Sequence, residues 1–235
     1  YGYYNKEEST KGIALPDTTA IWHVDLTNGQ VKSLLSYKDF AAFEPREEMV
    51  GEKVVHKVNH IMISPNGKRF MVLYRWFVGE RKYTRLITCD IDGNNMFVLN
   101  DDDMVSHCYW KNDGEIIAFE NKKDGGPGYY LMKDQTAEWK HLWKKYTNDG
   151  HPSYLPNGEL VVTDSYPSRK RVQDIKILKD SEEDGIVVAR VFAPFKYDND
   201  TRCDLHPRWS RDGKAVCFDG CFSGHRELLI INVGD

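Results

Sequence analysis

Residues 59–74 read NHIMISPNGKRFMVLY, and three later stretches repeat that pattern: SHCYWKNDGEIIAFE at 106–120, GHPSYLPNGELVVTD at 150–164 and LHPRWSRDGKAVCFD at 205–219. Each runs from a histidine through an apolar or aromatic segment to a turn ending in glycine, then into a β-rich strand. The turn glycines are Gly67, Gly114, Gly158 and Gly213, spaced by 47, 44 and 55 residues. A four-stranded propeller blade takes roughly 40 to 50 residues, so the last interval requires a loop insertion.

In each unit Asn-Gly or Asp-Gly separates two short strands, the dipeptide that suits a two-residue hairpin turn with φ > 0. A second half of the blade is clearest at 86–99, LITCDIDGNNMFVL, where an Asp-Gly-Asn turn joins two more strands. Residues 18–35, TTAIWHVDLTNGQVKSLL, repeat that second half and mark an earlier blade cut by the start of the chain. No long amphipathic helix is evident. The best stretch for one, Thr136 to Tyr146, also fits an outer strand through Trp139, Leu142 and Trp143. The expectation is an all-β β-propeller over residues 1–235, truncated at its N-terminus. Its blade units are about 18–45 (partial), 56–100, 104–146, 148–195 and 202–235, with seven blades expected in the intact protein.

Composition narrows the function classes. The chain has 235 residues, 40% of them hydrophobic and 29% charged, enough for a sizeable core. A formal charge of -4 gives no electrostatic reason to expect nucleic acid. No stretch is long and apolar enough to span a bilayer as a helix, and the opening YGYYNKEEST lacks the apolar centre of a signal peptide. The missing initiator methionine leaves the native N-terminus out of view, so bacterial cytoplasm and periplasm both stay open. Five cysteines, Cys89, Cys108, Cys203, Cys217 and Cys221, lack the spacing of a disulfide framework. Cys217 and Cys221 flank a turn and could pair, although buried free thiols are the plainer expectation.

His60, His107, His151 and His206 each precede their turn glycine by seven residues. They therefore occupy one structural position in successive blades. The first strand of a propeller blade lines the central channel and its side chains alternate with period two, so the four imidazoles should ring one mouth of the channel. Ile63, Trp110, Tyr154 and Trp209, three residues further on, should pack between blades. The alternative is that each histidine only hydrogen-bonds its own blade. Cys203 precedes His206 by a Cys-x2-His step, a spacing that lets both reach one ion. His107, His151, Cys203 and His206 then make a four-ligand set, and a thiolate among them favours zinc over manganese.

The His-x3-Ser-Pro-Asn-Gly-Lys opening at His60 and the turn Cys89-Asp-Ile-Asp-Gly-Asn-Asn95 resemble the repeats of TolB-type propellers, over about residues 56–235. The histidine-led repeats ending in Arg202-Cys203-Asp204-Leu205-His206-Pro207-Arg208-Trp209 are similar to those of oligogalacturonate lyases and ulvan lyases, propeller enzymes that cleave uronic-acid polysaccharides. That resemblance implies a metal held by histidines of successive blades, carried here most directly by His151 and His206, and then by His107 and Cys203. It also implies β-elimination on an acidic polysaccharide or oligosaccharide, which needs a cation for the uronate, a base and a proton donor. The metal or Arg75 would be the cation, His60 the base and Tyr74 the donor or second base. Lyases of these groups generally use a second histidine where this chain has Tyr74. The loop residues Tyr166, Arg169, Lys170 and Arg171 could meet an acidic sugar. The competing reading is a non-catalytic propeller that binds a protein or carbohydrate partner around a structural metal. Oligomeric state is not legible.

Three further motifs carry less. Asp90-Ile-Asp92-Gly93-Asn94-Asn95 has acidic spacing without the closing glutamate of a calcium loop. Asp124-Gly-Gly-Pro-Gly128 lacks the strand-to-helix context of a phosphate loop. Runs such as Asp101-Asp102-Asp103 read as solvated connections.

Overall fold

Five antiparallel sheets, each a meander of strands adjacent in sequence, account for almost all regular structure in a computed structural model that describes residue 10 and residues 12–234. Residues 1–9, on which the signal-peptide expectation falls, lie outside the described residues. β1 (Thr19–Val24) and β2 (Val31–Ser36) form a two-stranded sheet, followed by a short helix α1 (Tyr37–Ala42). β3 (Val55–Ile63), β4 (Arg69–Val78), β5 (Arg81–Asp90) and β6 (Phe97–Asn100) make one four-stranded blade. The next comprises β7 (Val105–Trp110), β8 (Glu115–Lys122), β9 (Gly126–Lys133) and β10 (Trp139–Leu142). A third holds β11 (Ser153–Tyr154), β12 (Leu160–Asp164), β13 (Val172–Lys179) and β14 (Ile186–Phe192). The last sheet has β15 (Arg208–Trp209), β16 (Ala215–Gly220) and β17 (Glu227–Asn232). The chain divides into two compact units, one ending at residue 105 and the other starting at 106.

In the first unit, strand alternation decides which residues meet. Phe70, Val72, Tyr74 and Trp76 of β4 all point into one core with Phe40, Ile21, Leu35, Ile87 and Cys89. Tyr74 is fully buried, stacked on Phe40 and His56, and its hydroxyl bonds His56 Nδ1 at 2.5 Å. Burial pushes its phenol above the usual range. This corrects the expectation that Tyr74 serves as a proton donor beside Arg75: neighbours in a strand face opposite sides, and Tyr74 takes the core side. His60 is exposed, in a bulge of β3 between Asn59 and Met62, with φ 55. Arg75 is half-buried and opposite Lys57 in register.

The helix α1 went unread in the sequence, although its signal is there. Ser36 Oγ accepts from Asp39 N at 3.1 Å and Asp39 Oδ2 from Ser36 N at 2.7 Å, a reciprocal cap, while Phe40 drops into the core. Arg85, almost wholly buried on β5, ties the segment after α1 to the blade. Its Nε and Nη2 donate to the two carboxylate oxygens of Asp101 at 3.1 and 2.6 Å, and its Nη1 donates to the carbonyls of Phe43 and Glu44, each at 3.0 Å.

In the second unit the hairpin loops differ from the two-residue turns expected. Leu155 N bonds Leu160 O, and Ser210 N bonds Ala215 O, so each loop holds four residues and glycine comes third among them rather than second of two. Ser64 and Arg69 do the same in the first unit. Gly67, Gly158 and Gly213 take φ of 72, 74 and 71, the left-handed step that follows a type I turn. Asn66, Asn157 and Asp212 brace these turns by accepting from the backbone N–H two residues on. Residues 139–142 form the outer strand β10, not a helix.

Of the aromatic residues three positions after the histidines of this unit, Trp209 bridges two blades, and the other two are buried, Tyr154 bonding within its own blade. Trp110 and Tyr154 are buried, Tyr154 donates to Asp180 at 2.7 Å, and Trp209 Nε1 donates to Ser153 O at 3.1 Å. Ile63 departs from the expected packing between blades and is exposed.

A buried ion-pair partner removed singly leaves an uncompensated charge or unfilled carbonyls. Arg85→Ala should therefore lower stability by roughly 3 kcal/mol in urea unfolding, whereas Arg81→Ala, whose side chain is 67% exposed against Asp103, should cost under about 0.5 kcal/mol. Equal losses would deny Arg85 its bracing role.

Candidate metal centre

Three of the four aligned histidines fall within the second unit and meet there. His107 lies on β7, while His151 and His206 each precede the first strand of their blade by two residues. The ring centroids of His107 and His151 are 4.0 Å apart, and those of His151 and His206 are 3.9 Å apart.

Each imidazole is oriented by an acceptor at Nδ1. His107 Nδ1 meets Asp149 at 3.1 Å, His151 Nδ1 meets both oxygens of Asp164 at 2.8 and 2.9 Å, and His206 Nδ1 meets the backbone carbonyl of Asp204 at 3.3 Å. Carboxylates and carbonyls only accept, so Nδ1 carries the proton in each ring, and when the rings of His151 and His206 are neutral their lone pair lies on Nε2. An oxygen behind each imidazole is the arrangement that surrounds metal-binding histidines.

Asp164 is the hub. Besides His151 Nδ1 it accepts the backbone N–H of His151 at 2.7 Å and that of His206 at 3.1 Å. Burial alone would raise its carboxyl, but the His151 hydrogen bond and charge outweigh it and hold Asp164 below the usual range. The same pair raises His151 against its own burial, while burial and the His151 charge lower His206. Gly150 makes this approach feasible, since a Cβ there would lie 2.2 Å from Asp164 O and 2.8 Å from Tyr129 Oη.

His151, Asp204 and His206 each present a ligand atom, all within 4.8 Å of one another. That separation suits donors about 2.0 to 2.3 Å from a shared ion. His107 stands beside His151 but outside this ligand-distance group. Cys203 is corrected: its thiol is buried against the thiol of Cys221, and burial and that neighbour push it up to about 12. Asp204 shares the ligand-distance group with His206, while Cys203 turns to Cys221. An Asp-x-His step was readable at 204–206 and was the better signal. All five cysteines are free thiols, the plainer of the two expectations, and Cys221 faces Cys203 rather than pairing with Cys217.

Tyr166 is the phenol next to the imidazoles, its ring 5.8 Å from His151 and 6.4 Å from His107. Burial, reinforced by Asp149, pushes its hydroxyl up. Arg202 lies over Tyr166 at 4.4 Å and pairs with Asp204. Of the loop cations, Arg169 and Lys170 are exposed, while Arg171 is committed to the carbonyls of Ala193 and Tyr197 at 2.9 and 2.6 Å.

Asp164→Ala removes the acceptor for three N–H donors in the interior. Its expected cost is about 3–5 kcal/mol, measured as a fall in the urea midpoint. Asp219→Ala, at the matching hairpin position of the next blade but 29% exposed at its side chain, should cost under about 1 kcal/mol. Similar losses for the two would reduce Asp164 to an ordinary strand-end acid.

No family model matches the chain, and no curated protein matches it. Solved structures do. TolB from Acinetobacter baumannii superposes with a TM-score of 0.51 at 15% identity over 77% of this chain, which spans 56% of that protein's length. An oligogalacturonate lyase in complex with manganese gives 0.53 at 11% identity, covering 94% of this chain and 73% of that one. A chain of a nidogen/laminin complex gives 0.57 at 9% identity, with 92% and 72% covered. At these identities the likeness speaks for fold, and the fold is a TolB-like β-propeller.

Proposed function

We propose that this propeller binds one divalent transition-metal ion through His151, Asp204 and His206, with His107 as a flanking imidazole, and acts on acidic, uronic-acid oligosaccharides by β-elimination. The observation that carries this reading is the set of three imidazoles, each with Nδ1 turned to an oxygen, beside which the ligand atoms of His151, Asp204 and His206 gather within 4.8 Å of one another. Three protein ligands leave coordination positions open for a substrate carboxylate, as catalytic sites do and closed structural sites do not. The manganese-bound oligogalacturonate lyase supports the same class of ion and substrate.

The metal, when bound, supplies the cation that neutralises the uronate and acidifies the α-proton. With Cys203 outside the ligand group, the thiolate argument for zinc over manganese no longer applies, and imidazole with carboxylate suits either. The chain's own groups contribute position and proton chemistry. Asp149 and Asp164 fix the imidazoles of His107 and His151, and Tyr166 places a phenol beside them. His60 as base and Arg75 as a cation stay a separate proposal for the first unit. A second reading, a propeller that binds a protein partner, has the nidogen/laminin likeness in its favour; it requires no open metal position and no base.

Metal content is the first test. Elemental analysis of protein purified without chelator should find about one ion per chain. His151→Ala and Asp204→Asn should lose it, whereas Cys203→Ser should retain it. Full metal content in the first two variants would remove the centre.

Activity is the second. Incubation with pectate or ulvan should raise the absorbance of the unsaturated product. His151→Ala, His60→Ala and Arg75→Ala should each lower that rate by roughly 100-fold or more. A wild type that binds these polymers without forming product favours the non-catalytic reading, and unchanged rates for His60→Ala and Arg75→Ala would end their assignment.

A further inference from the structure

Arg202 is held from two directions next to the proposed centre. Its Nε and Nη2 meet the two carboxylate oxygens of Asp204, Nη2 at 3.0 Å. Its guanidinium lies over the Tyr166 ring, whose other neighbours are His107 and His151. A bidentate fork engages both oxygens of a carboxylate. Those oxygens are also what Asp204 brings to the group it forms with His151 and His206. One carboxylate cannot serve a guanidinium fork and a metal ion equally well.

We propose that Arg202 and the metal compete for Asp204, so that metal loading turns the guanidinium from Asp204 to the carboxylate of an incoming uronate. This rests on the metal-dependent, acidic-sugar reading above. Before loading, the fork is satisfied within the protein, and an acidic sugar must displace Asp204 to reach it. After loading, Asp204 is engaged by the ion, and the sugar's carboxylate takes its place on the fork. The Tyr166 face keeps the guanidinium beside the imidazoles throughout, a contact an arginine makes well because its planar cation stacks. The Arg202 side chain is 36% exposed, so a ligand reaches it without opening the core. Metal and sugar then bind with positive coupling, which must be the same in both directions.

The test uses the full chain stripped by chelator, Mn2+ titrated with electron paramagnetic resonance of the free ion, and trigalacturonate titrated calorimetrically with and without Mn2+. Arg202→Gln frees Asp204 and should bind Mn2+ alone roughly two- to fivefold more tightly than wild type. Arg226→Gln controls for general charge, because Arg226 Nη2 donates to the carbonyls of Thr201 and Arg202; its Mn2+ affinity should match wild type. In wild type, Mn2+ should tighten trigalacturonate binding by roughly fivefold or more. Arg202→Gln should lose that gain, and Arg202→Lys, which keeps the charge without the fork, should retain only part of it.

Mn2+ affinity unchanged or weakened in Arg202→Gln overturns the competition, as does an equal gain in Arg226→Gln. If trigalacturonate binds the loaded wild type while Mn2+ affinity is indifferent to Arg202, the acidic-sugar reading stands and the competition is wrong. If Arg202→Gln tightens Mn2+ but the loaded wild type ignores trigalacturonate, the competition stands and the acidic-sugar reading falls, together with the uronate half of this inference.

Discussion

The carboxylate of Asp164 is the constraint on which the candidate centre depends. A buried carboxylate is costly unless its lone pairs are filled, and this one is filled by two backbone N–H groups and an imidazole from two neighbouring blades. Those three bonds fix the backbone at His151 and at His206, the ring of His151, and the spacing between the two blades. His206 adopts φ 43, a left-handed conformation that non-glycine residues rarely take. The Asp164 bond to its N–H is one of the contacts holding it there. Gly150 belongs to the same device, since any side chain there would push Asp164 away.

Most of the fold could be read from the chain because a propeller states itself repeatedly. The histidine-to-glycine interval recurs four times, and period-two alternation within each hairpin marks its strands. Local geometry was less legible. The Asn-Gly and Asp-Gly dipeptides announced turns correctly, but the side-chain braces at Asn66, Asn157 and Asp212 draw a longer loop than the dipeptide alone suggests. The helix α1 is six residues long, below what hydrophobic periodicity resolves, and only its cap at Ser36 and Asp39 declares it.

The site divided along the same line. The common register pointed to the imidazoles, and His107, His151 and His206 do come together. Cys203 stands outside the ligand group because its thiol is buried against that of Cys221, a contact that a ligand spacing read along one segment does not reveal. Strand alternation on β4 is what separates Tyr74 from Arg75. The orienting carboxylates were invisible for a different reason: Asp149 and Asp164 lie on separate segments and acquire their role only once hairpin and blade are folded. No spacing rule in one sequence reports that.

The proposed metal centre rests on an imidazole cluster whose Nδ1 atoms meet oxygens and on Asp204, paired with Arg202 and within ligand distance of His151 and His206. The most direct measurement is anomalous X-ray scattering from crystals of the protein loaded with Mn2+ or Zn2+. The account predicts one strong peak about 2.0 to 2.3 Å from the Nε2 atoms of His151 and His206 and from a carboxylate oxygen of Asp204. A peak at the Cys203 sulfur, or no ordered metal among the three histidines, would contradict it.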